Sequence, residues 1–196
     1  MLSFDTMRLF FSLLAVGATV VVLSSVLLWI AARFSDGAAE MRNAILDSVA
    51  GYELWMGFGV ATVATFGSLY LSEVAHLIPC KLCWFQRIFM YPLVIVLGVA
   101  ARRRDDSVRL TTVLLSLIGA AIAVYHYALQ RYPSLGGGSC DASAPCSAAY
   151  IWQWDFVSIP YMAASAFGLI LVLMFALRSN VARMSALEIA KGTSDE

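Results

Sequence analysis

The chain has 196 residues, of which 61% are hydrophobic and only 13% charged, and its formal net charge is zero. This apolar excess over an ordinary globular domain predicts a membrane protein in contact with lipid. A balanced charge argues against nucleic acid as a partner, because phosphates are bound by a surplus of Lys and Arg. Its four cysteines are too few for a disulfide scaffold.

Five runs with few or no charges are long enough to cross the apolar core of a bilayer, which takes about 20 helical residues. They cover Leu9 to Ala32, Leu54 to about Ser72, the residues after Cys83 to Ala101, Leu110 to Leu129, and Phe156 to Leu177. The first run is longer than the roughly 7 to 15 apolar residues of a signal peptide, so we interpret it as a retained anchor. We therefore predict an all-α membrane protein, a four-helix transmembrane bundle with an additional N-terminal transmembrane helix.

Basic residues in the short loops predict the orientation. Their densest cluster separates the third and fourth runs and consists of Arg102, Arg103, Arg104 and Arg109. This hairpin is expected in the cytoplasm together with the tail after the fifth run, which carries Arg178, Arg183 and Lys191. The four cysteines and the amino terminus then share the opposite side. If that side is the periplasm or the cell exterior, thiols there can be kept oxidised.

Three segments follow from this topology. Residues 1–53 are an N-terminal anchor and cytoplasmic connector, 54–178 the bundle with two exported cysteine loops, and 179–196 a cytoplasmic tail. Within the connector, Ala38 to Tyr52 looks helical, and either lies along the membrane interface or serves as a plain link.

Cys80 and Cys83 form a Cys-x-x-Cys pair at the start of the third run. A helix start offers unpaired amides and a positive dipole end, which stabilise a thiolate, the reactive form in disulfide exchange. Arg87 follows Cys83 by one helical turn, where its guanidinium can reach the sulfur or a carbonyl-bearing ligand, and Gln86 is expected to assist. An arginine within a membrane helix is costly unless paired or wet; snorkelling to the head groups is the plain alternative to a functional role.

Cys140 and Cys146 lie in the only sizeable loop, between the fourth and fifth runs. The residues from Asp141 to Pro145 leave enough chain for an unstrained disulfide. Gly136 to Gly138, with Pro133 and Pro145, predict a mobile loop that presents this disulfide to another protein. A static staple is the alternative, but two pairs on one face favour an electron relay.

The stretch Ser72 to Pro92, SEVAHLIPCKLCWFQRIFMYP, resembles the first exported loop and following helix of the disulfide-bond formation protein B family, above all its BdbC-like branch. Cys140 and Cys146, followed by Ile159 and Pro160, resemble that branch's second cysteine pair and final helix. The resemblance covers about residues 54 to 178. It does not account for the additional N-terminal helix.

The resemblance implies a membrane enzyme that re-oxidises a DsbA- or BdbD-like thioredoxin-fold protein and passes the electrons to a quinone, ubiquinone or menaquinone, in a bacterial plasma membrane. By analogy, the partner attacks Cys140, the electrons pass through Cys146 to the Cys80–Cys83 pair, and Cys83 faces the quinone. Arg87 matches the family arginine associated with quinone. His126 and Gln130 resemble a more loosely matched His and Gln near the quinone. For His126, a plain interfacial hydrogen bond is the alternative.

Three rival interpretations remain open at this point. Four thiolates can hold one zinc ion, although we predict no metal. A vitamin K epoxide reductase type of enzyme also has two cysteine pairs, but there the loop pair precedes the Cys-x-x-Cys in the chain. Disulfides that merely staple loops would leave Arg87 beside Cys83 unexplained.

Overall fold

The computed structural model describes residues 4–135, 140 and 145–192. Gly136, Gly137 and Gly138, on which the prediction of a mobile loop rests, lie outside the described residues, as do Asp141 and the side chain of Lys191. The described part is built from six α-helices: α1 (Phe4–Ala31), α2 (Asp36–Val49), α3 (Glu53–Leu69), α4 (Lys81–Arg103), α5 (Arg109–Arg131) and α6 (Ile159–Gly192).

Five of these helices, all but α2, have the length and the apolar composition needed to cross a membrane. The second spanning helix is α3, which continues as a π-helical turn over Tyr70–Val74. The predicted all-α membrane fold with five spans is therefore confirmed. The connector is helical as expected, although α2 ends at Val49, before Tyr52.

Helices α3, α4, α5 and α6 form the bundle, each packing on the next and α6 closing against α3. Its core consists of buried side chains from α3, α4 and α6, among them Leu54, Leu93, Leu97, Phe167, Ile170 and Met174. Burial of such side chains within a bilayer reflects close packing between helices more than removal from water.

Helix α1 lies outside the bundle and packs mainly on α6. The Tyr161 hydroxyl donates a hydrogen bond to Thr19 Oγ1 at 2.8 Å, and further along both helices Val22 packs on Gly168. Because both contacts advance in the same chain direction, α1 and α6 run parallel.

The last helix differs from the predicted fifth span at both ends. Phe156 precedes the helix, because Val157 pairs with Gln153 in an antiparallel bridge and Asp155 has a φ of 61°, which an α-helix does not allow. At the other end, α6 continues past Leu177 and through the predicted boundary at residue 178. No proline or glycine follows until Gly192, so nothing in the sequence interrupts the helix there.

The end of the bundle away from the cysteines is held by α2 and α6. Asn180 Nδ2 donates to the Glu53 carboxylate at 2.6 Å and to the Leu46 carbonyl at 3.0 Å. Glu53 is only 1% exposed, and an exposed ion pair between Arg183 and Asp47 lies beside it along α6. These contacts fix the long last helix against the start of α3.

Candidate functional site

The Cys-x-x-Cys pair caps helix α4. Cys80 is the residue before the first helical turn, and its sulfur accepts a hydrogen bond from the Cys83 amide at 3.4 Å. The helix thus begins at Lys81, three residues earlier than the predicted span, and Cys83 lies in its first turn. The two sulfurs are 3.1 Å apart. Cys80 is buried while Cys83 is partly exposed, so the two thiols face different surroundings.

His126, on α5, joins the two cysteine pairs. It is only 1% exposed, and its Nε2 lies 3.5 Å from Cys80 Sγ and 3.1 Å from the Cys146 carbonyl oxygen. Because a carbonyl oxygen only accepts, Nε2 carries the hydrogen. The other ring nitrogen, Nδ1, lies 3.0 Å from the amide nitrogen of Gln86, which fixes the plane of the ring. His126 therefore donates from one atom towards both pairs.

The environment of Cys80 strongly favours its thiolate. The pKa of Cys80 is lowered from its ordinary value of 9.0 to about 4, chiefly by the hydrogen bond with the Cys83 side chain, against an opposing effect of burial. His126 and the Cys83 amide add to the lowering. A thiol with this pKa is a good leaving group in disulfide exchange.

The second pair, Cys140 and Cys146, forms a disulfide. Cys146 is buried and packs in one small cluster with Cys80 and Leu129, and Cys83 and Cys140 lie against it. Four cysteines from two distant parts of the sequence thus meet at one end of the bundle. Gln130 Nε2 donates to the Ala148 carbonyl at 3.2 Å, which holds the chain that follows Cys146 against α5.

Beside Cys83 lies a cavity of about 310 Å³ between α1, α3, α4 and α6. Cys83, Gln86 and Arg87 line it, whereas Cys80, His126 and Gln130 are not among its lining residues. The structure therefore separates the predicted site residues into two groups. His126 and Gln130 contact the cysteines and their loop, and Arg87 faces the cavity with Cys83 and Gln86.

Arg87 is held in place by a residue that the sequence analysis missed, Ser68 of α3. Its Nε donates to Ser68 Oγ and its Nη2 to the Ser68 carbonyl, both at 3.0 Å, while the Tyr91 hydroxyl reaches the same Oγ at 3.2 Å. The guanidinium also lies 5.1 Å from the centre of the Trp84 ring. These contacts hold the guanidinium against α3 and the Trp84 ring. A single serine on an apolar helix carries no sequence signal for this role.

The four-thiolate zinc site is not assembled here, because the Cys140 and Cys146 sulfurs are bonded to each other. A smaller cluster has metal-ligand spacing: the Cys80 and Cys83 sulfurs and a His126 ring nitrogen lie within 4.8 Å of one another. In that cluster Nε2 already donates to a carbonyl, so metal binding would require a different tautomer or ring position.

Comparison with known proteins agrees with this arrangement. The family model described as disulfide bond formation protein DsbB matches residues 53–179. Disulfide bond formation protein C of Bacillus subtilis is 43% identical over 128 residues, 65% of this chain and 93% of that protein. The probable disulfide formation protein of Oceanobacillus iheyensis is 46% identical over 115 residues, 58% of this chain and 79% of that protein.

No solved structure matches the chain. The family match begins at the first residue of α3, so α1 and α2 lie outside it. Less than a tenth of the Bacillus subtilis protein is left uncovered, which is too short for a counterpart of the 28-residue α1. With its two cysteine pairs brought together at one end of a membrane bundle, the chain belongs to the DsbB family of disulfide bond formation proteins and is a disulfide-generating oxidoreductase of the membrane.

Proposed function

We propose that this protein re-oxidises a DsbA- or BdbD-like thioredoxin-fold thiol oxidase and transfers the electrons to a membrane quinone, ubiquinone or menaquinone. The observation that carries the proposal is the position of the Cys80–Cys83 pair. On one side Cys80 packs in a single cluster with the loop disulfide, and on the other Cys83 opens onto the cavity beside Arg87.

The first half-reaction exchanges disulfides. A partner thiolate attacks Cys140, releasing the Cys146 thiolate, and the partner's second thiol resolves the mixed disulfide, so the partner leaves oxidised with Cys140 and Cys146 reduced. Cys146 then attacks Cys80 of an oxidised Cys80–Cys83 pair and releases Cys83. Finally Cys140 attacks Cys146, which restores the loop disulfide and expels Cys80 as a thiolate. Two electrons have moved from the partner to Cys80 and Cys83.

The low pKa of Cys80 supports the last of these steps. With a pKa of about 4, Cys80 leaves as a thiolate without first taking up a proton. A stabilised thiolate also favours the reduced pair, which makes the Cys80–Cys83 disulfide a better oxidant towards the loop. The hydrogen bond from His126 to the same sulfur acts in the same direction.

The second half-reaction takes place at the cavity. A bound quinone accepts two electrons and two protons and becomes a quinol, while Cys80 and Cys83 return to the disulfide. Arg87 and Gln86 line the cavity, and the N–H donors that these side chains carry suit a carbonyl oxygen that gains negative charge during reduction. Ser68 holds the guanidinium at this wall before any ligand arrives.

This function requires the cysteine end to face the periplasm or the cell exterior of a bacterial plasma membrane. The Arg102–Arg104 cluster supports that orientation, since it lies at the end of α4, opposite the cysteines, and basic loops are retained in the cytoplasm.

The decisive experiment is anaerobic quinone reduction by the purified protein, with a reduced thioredoxin-fold dithiol as electron donor. Wild type should turn over, and Cys83→Ala and Cys140→Ala should each abolish turnover because each removes a different exchange step. No turnover of wild type with either quinone class and several partners would refute the proposal. Bound zinc at one equivalent, held by thiols, would favour the metal-site alternative instead.

Arg87→His tests the assignment of the cavity. The substitution removes the guanidinium, which bonds to Ser68 and lines the cavity. It should weaken quinone reduction while leaving the exchange between the loop disulfide and the partner dithiol largely intact. The two steps are separated by following partner oxidation in a single turnover without quinone. An equal loss of both steps would contradict the assignment of Arg87 to the quinone.

A further inference from the structure

Helix α1, which lies outside the family match, forms one wall of the cavity beside Cys83. Four of its residues line that cavity: Phe11, Leu14, Ala15 and Ala18. Their spacing places them on one face of the helix. Apart from this face α1 is largely exposed, with Ser12 and Ala15 its only buried residues among those described.

At the polar end of the cavity, α1 contacts the bundle through Phe11. Phe11 packs on Gly67 so closely that a Cβ added there would lie 2.9 Å from the ring. Gly67 directly precedes Ser68, the residue that holds Arg87. The helix therefore touches α3 next to the guanidinium, and its inner face continues from there towards the middle of the membrane.

The cavity changes character along this path. Arg87, Gln86, Ser68 and Ser72 line its cysteine end, while Ala18, Gly59, Val60 and Leu169 continue it as a largely apolar slot. Ser165 also lines this cavity, and its hydroxyl donates to the Met162 carbonyl of its own helix. From Ser68 to Gly59 the slot follows α3 for about 13 Å at 1.5 Å per residue. A polar head site that opens into an apolar slot fits a molecule with a polar ring and a long hydrocarbon tail.

We propose that α1 is a built-in wall of the quinone site that holds the polyprenyl tail against α3 and α6. The proposal rests on the proposed function, since it takes a quinone as the ligand. It gives the additional helix a role in recognising the tail, whereas the ring is recognised by Arg87 and Gln86.

Ala18→Leu tests the proposal, because the larger side chain occupies the slot. Gly17→Leu is the matched control: Gly17 is exposed, and a Cβ added to it meets nothing within 4 Å. Ubiquinone and menaquinone are each compared with the same ring lacking its tail. Binding is followed by quenching of tryptophan fluorescence, and reduction by steady-state kinetics, in the full-length protein.

For Ala18→Leu, we expect the ratio of Kd for the tailed quinone to Kd for the tail-less ring to rise about tenfold, the usual effect of a misfitted apolar group in a pocket. The same ratio of KM values should rise in parallel, and Gly17→Leu should leave both ratios at the wild-type value. Leu14→Ala, which removes a lining side chain, should also raise the ratio, whereas Leu13→Ala should not, because Leu13 is comparably exposed but does not line the cavity.

Unchanged ratios in both Ala18→Leu and Leu14→Ala would overturn the role of α1. If Ala18→Leu fails to fold, the Leu14→Ala and Leu13→Ala pair decides. The proposed function fails separately, if wild type neither binds nor reduces any of the four quinones. If wild type reduces the tailed quinones but the Kd and KM ratios of the α1 variants equal those of the controls, only the role of α1 is refuted.

Discussion

Replacing His126 by Phe tests how the two cysteine pairs communicate. The ring keeps a similar size but loses its contacts with Gln86, Cys80 and the Cys146 carbonyl, which lie at 3.0, 3.5 and 3.1 Å. The Gln86 amide and the Cys146 carbonyl then remain buried without this partner, at a cost of about 1–3 kcal/mol each. The Cys80 thiolate loses one of its hydrogen bonds.

The expected shift of the Cys80 pKa has a defined sign and bounds. In the variant, the pKa of Cys80 rises above about 4 because the contribution of His126 is lost. It stays below 9.0 because the hydrogen bond with Cys83, the largest cause of the lowered pKa, remains. A group with a pKa near 4 is about 99% ionised at pH 6. Since the thiolate exists above the pKa, the variant loses reactivity from the acid side first.

The assay is the pH dependence of Cys80 alkylation in a background that carries Cys140→Ser and Cys146→Ser, with Cys80→Ser as the blank. Tyr125→Phe is the control, because Tyr125 is adjacent in sequence but 48% exposed. The titration midpoint should move upward in His126→Phe and stay at the wild-type value in the control. An unchanged midpoint in His126→Phe would show that the histidine does not act on Cys80.

Two further predictions concern packing, each measured as the free energy of unfolding in detergent. Gly119→Ala should destabilise the protein by about 1–3 kcal/mol, because the new methyl group overlaps the buried ring of Phe167 in α6. Gly17→Ala should not, because the space around Gly17 is open. Asn180→Ala should cost about 1–3 kcal/mol by leaving the buried Glu53 carboxylate without its donor. Ser179→Ala should change little, since this exposed hydroxyl bonds only within its own helix, and equal effects of the two variants would contradict the assignment.

The membrane helices were predictable because each is a local property of the chain. A run of apolar residues must satisfy its own backbone in lipid, and an α-helix does so without any other part of the protein. The predicted and observed ends of the last helix differ where that rule stops applying. Phe156 is apolar but lies in the turn before α6, and the segment after Leu177 carries charged residues but continues the helix outside the apolar run.

The candidate site was predictable in its chemistry and only partly in its arrangement. The Cys80–Cys83 spacing at a helix start and Arg87 one turn later are short-range patterns, so the sequence predicts them directly. The partner of Arg87 is Ser68, on another helix, and no local pattern marks it. His126 and Gln130 were expected beside the quinone, and their placement there stays a prediction, while the structure puts them against Cys80 and the loop.

The amino-acid sequence by itself determined that the chain crosses a membrane in five helices and carries two cysteine pairs, because apolar length and cysteine spacing are properties of single segments. Only the tertiary structure decided which groups meet. It placed His126 between Cys80 and Cys146, Ser68 under Arg87, and α1 along the cavity. These contacts join residues from different helices, and they depend on how helices with similar apolar surfaces pack side by side, which hydropathy does not encode.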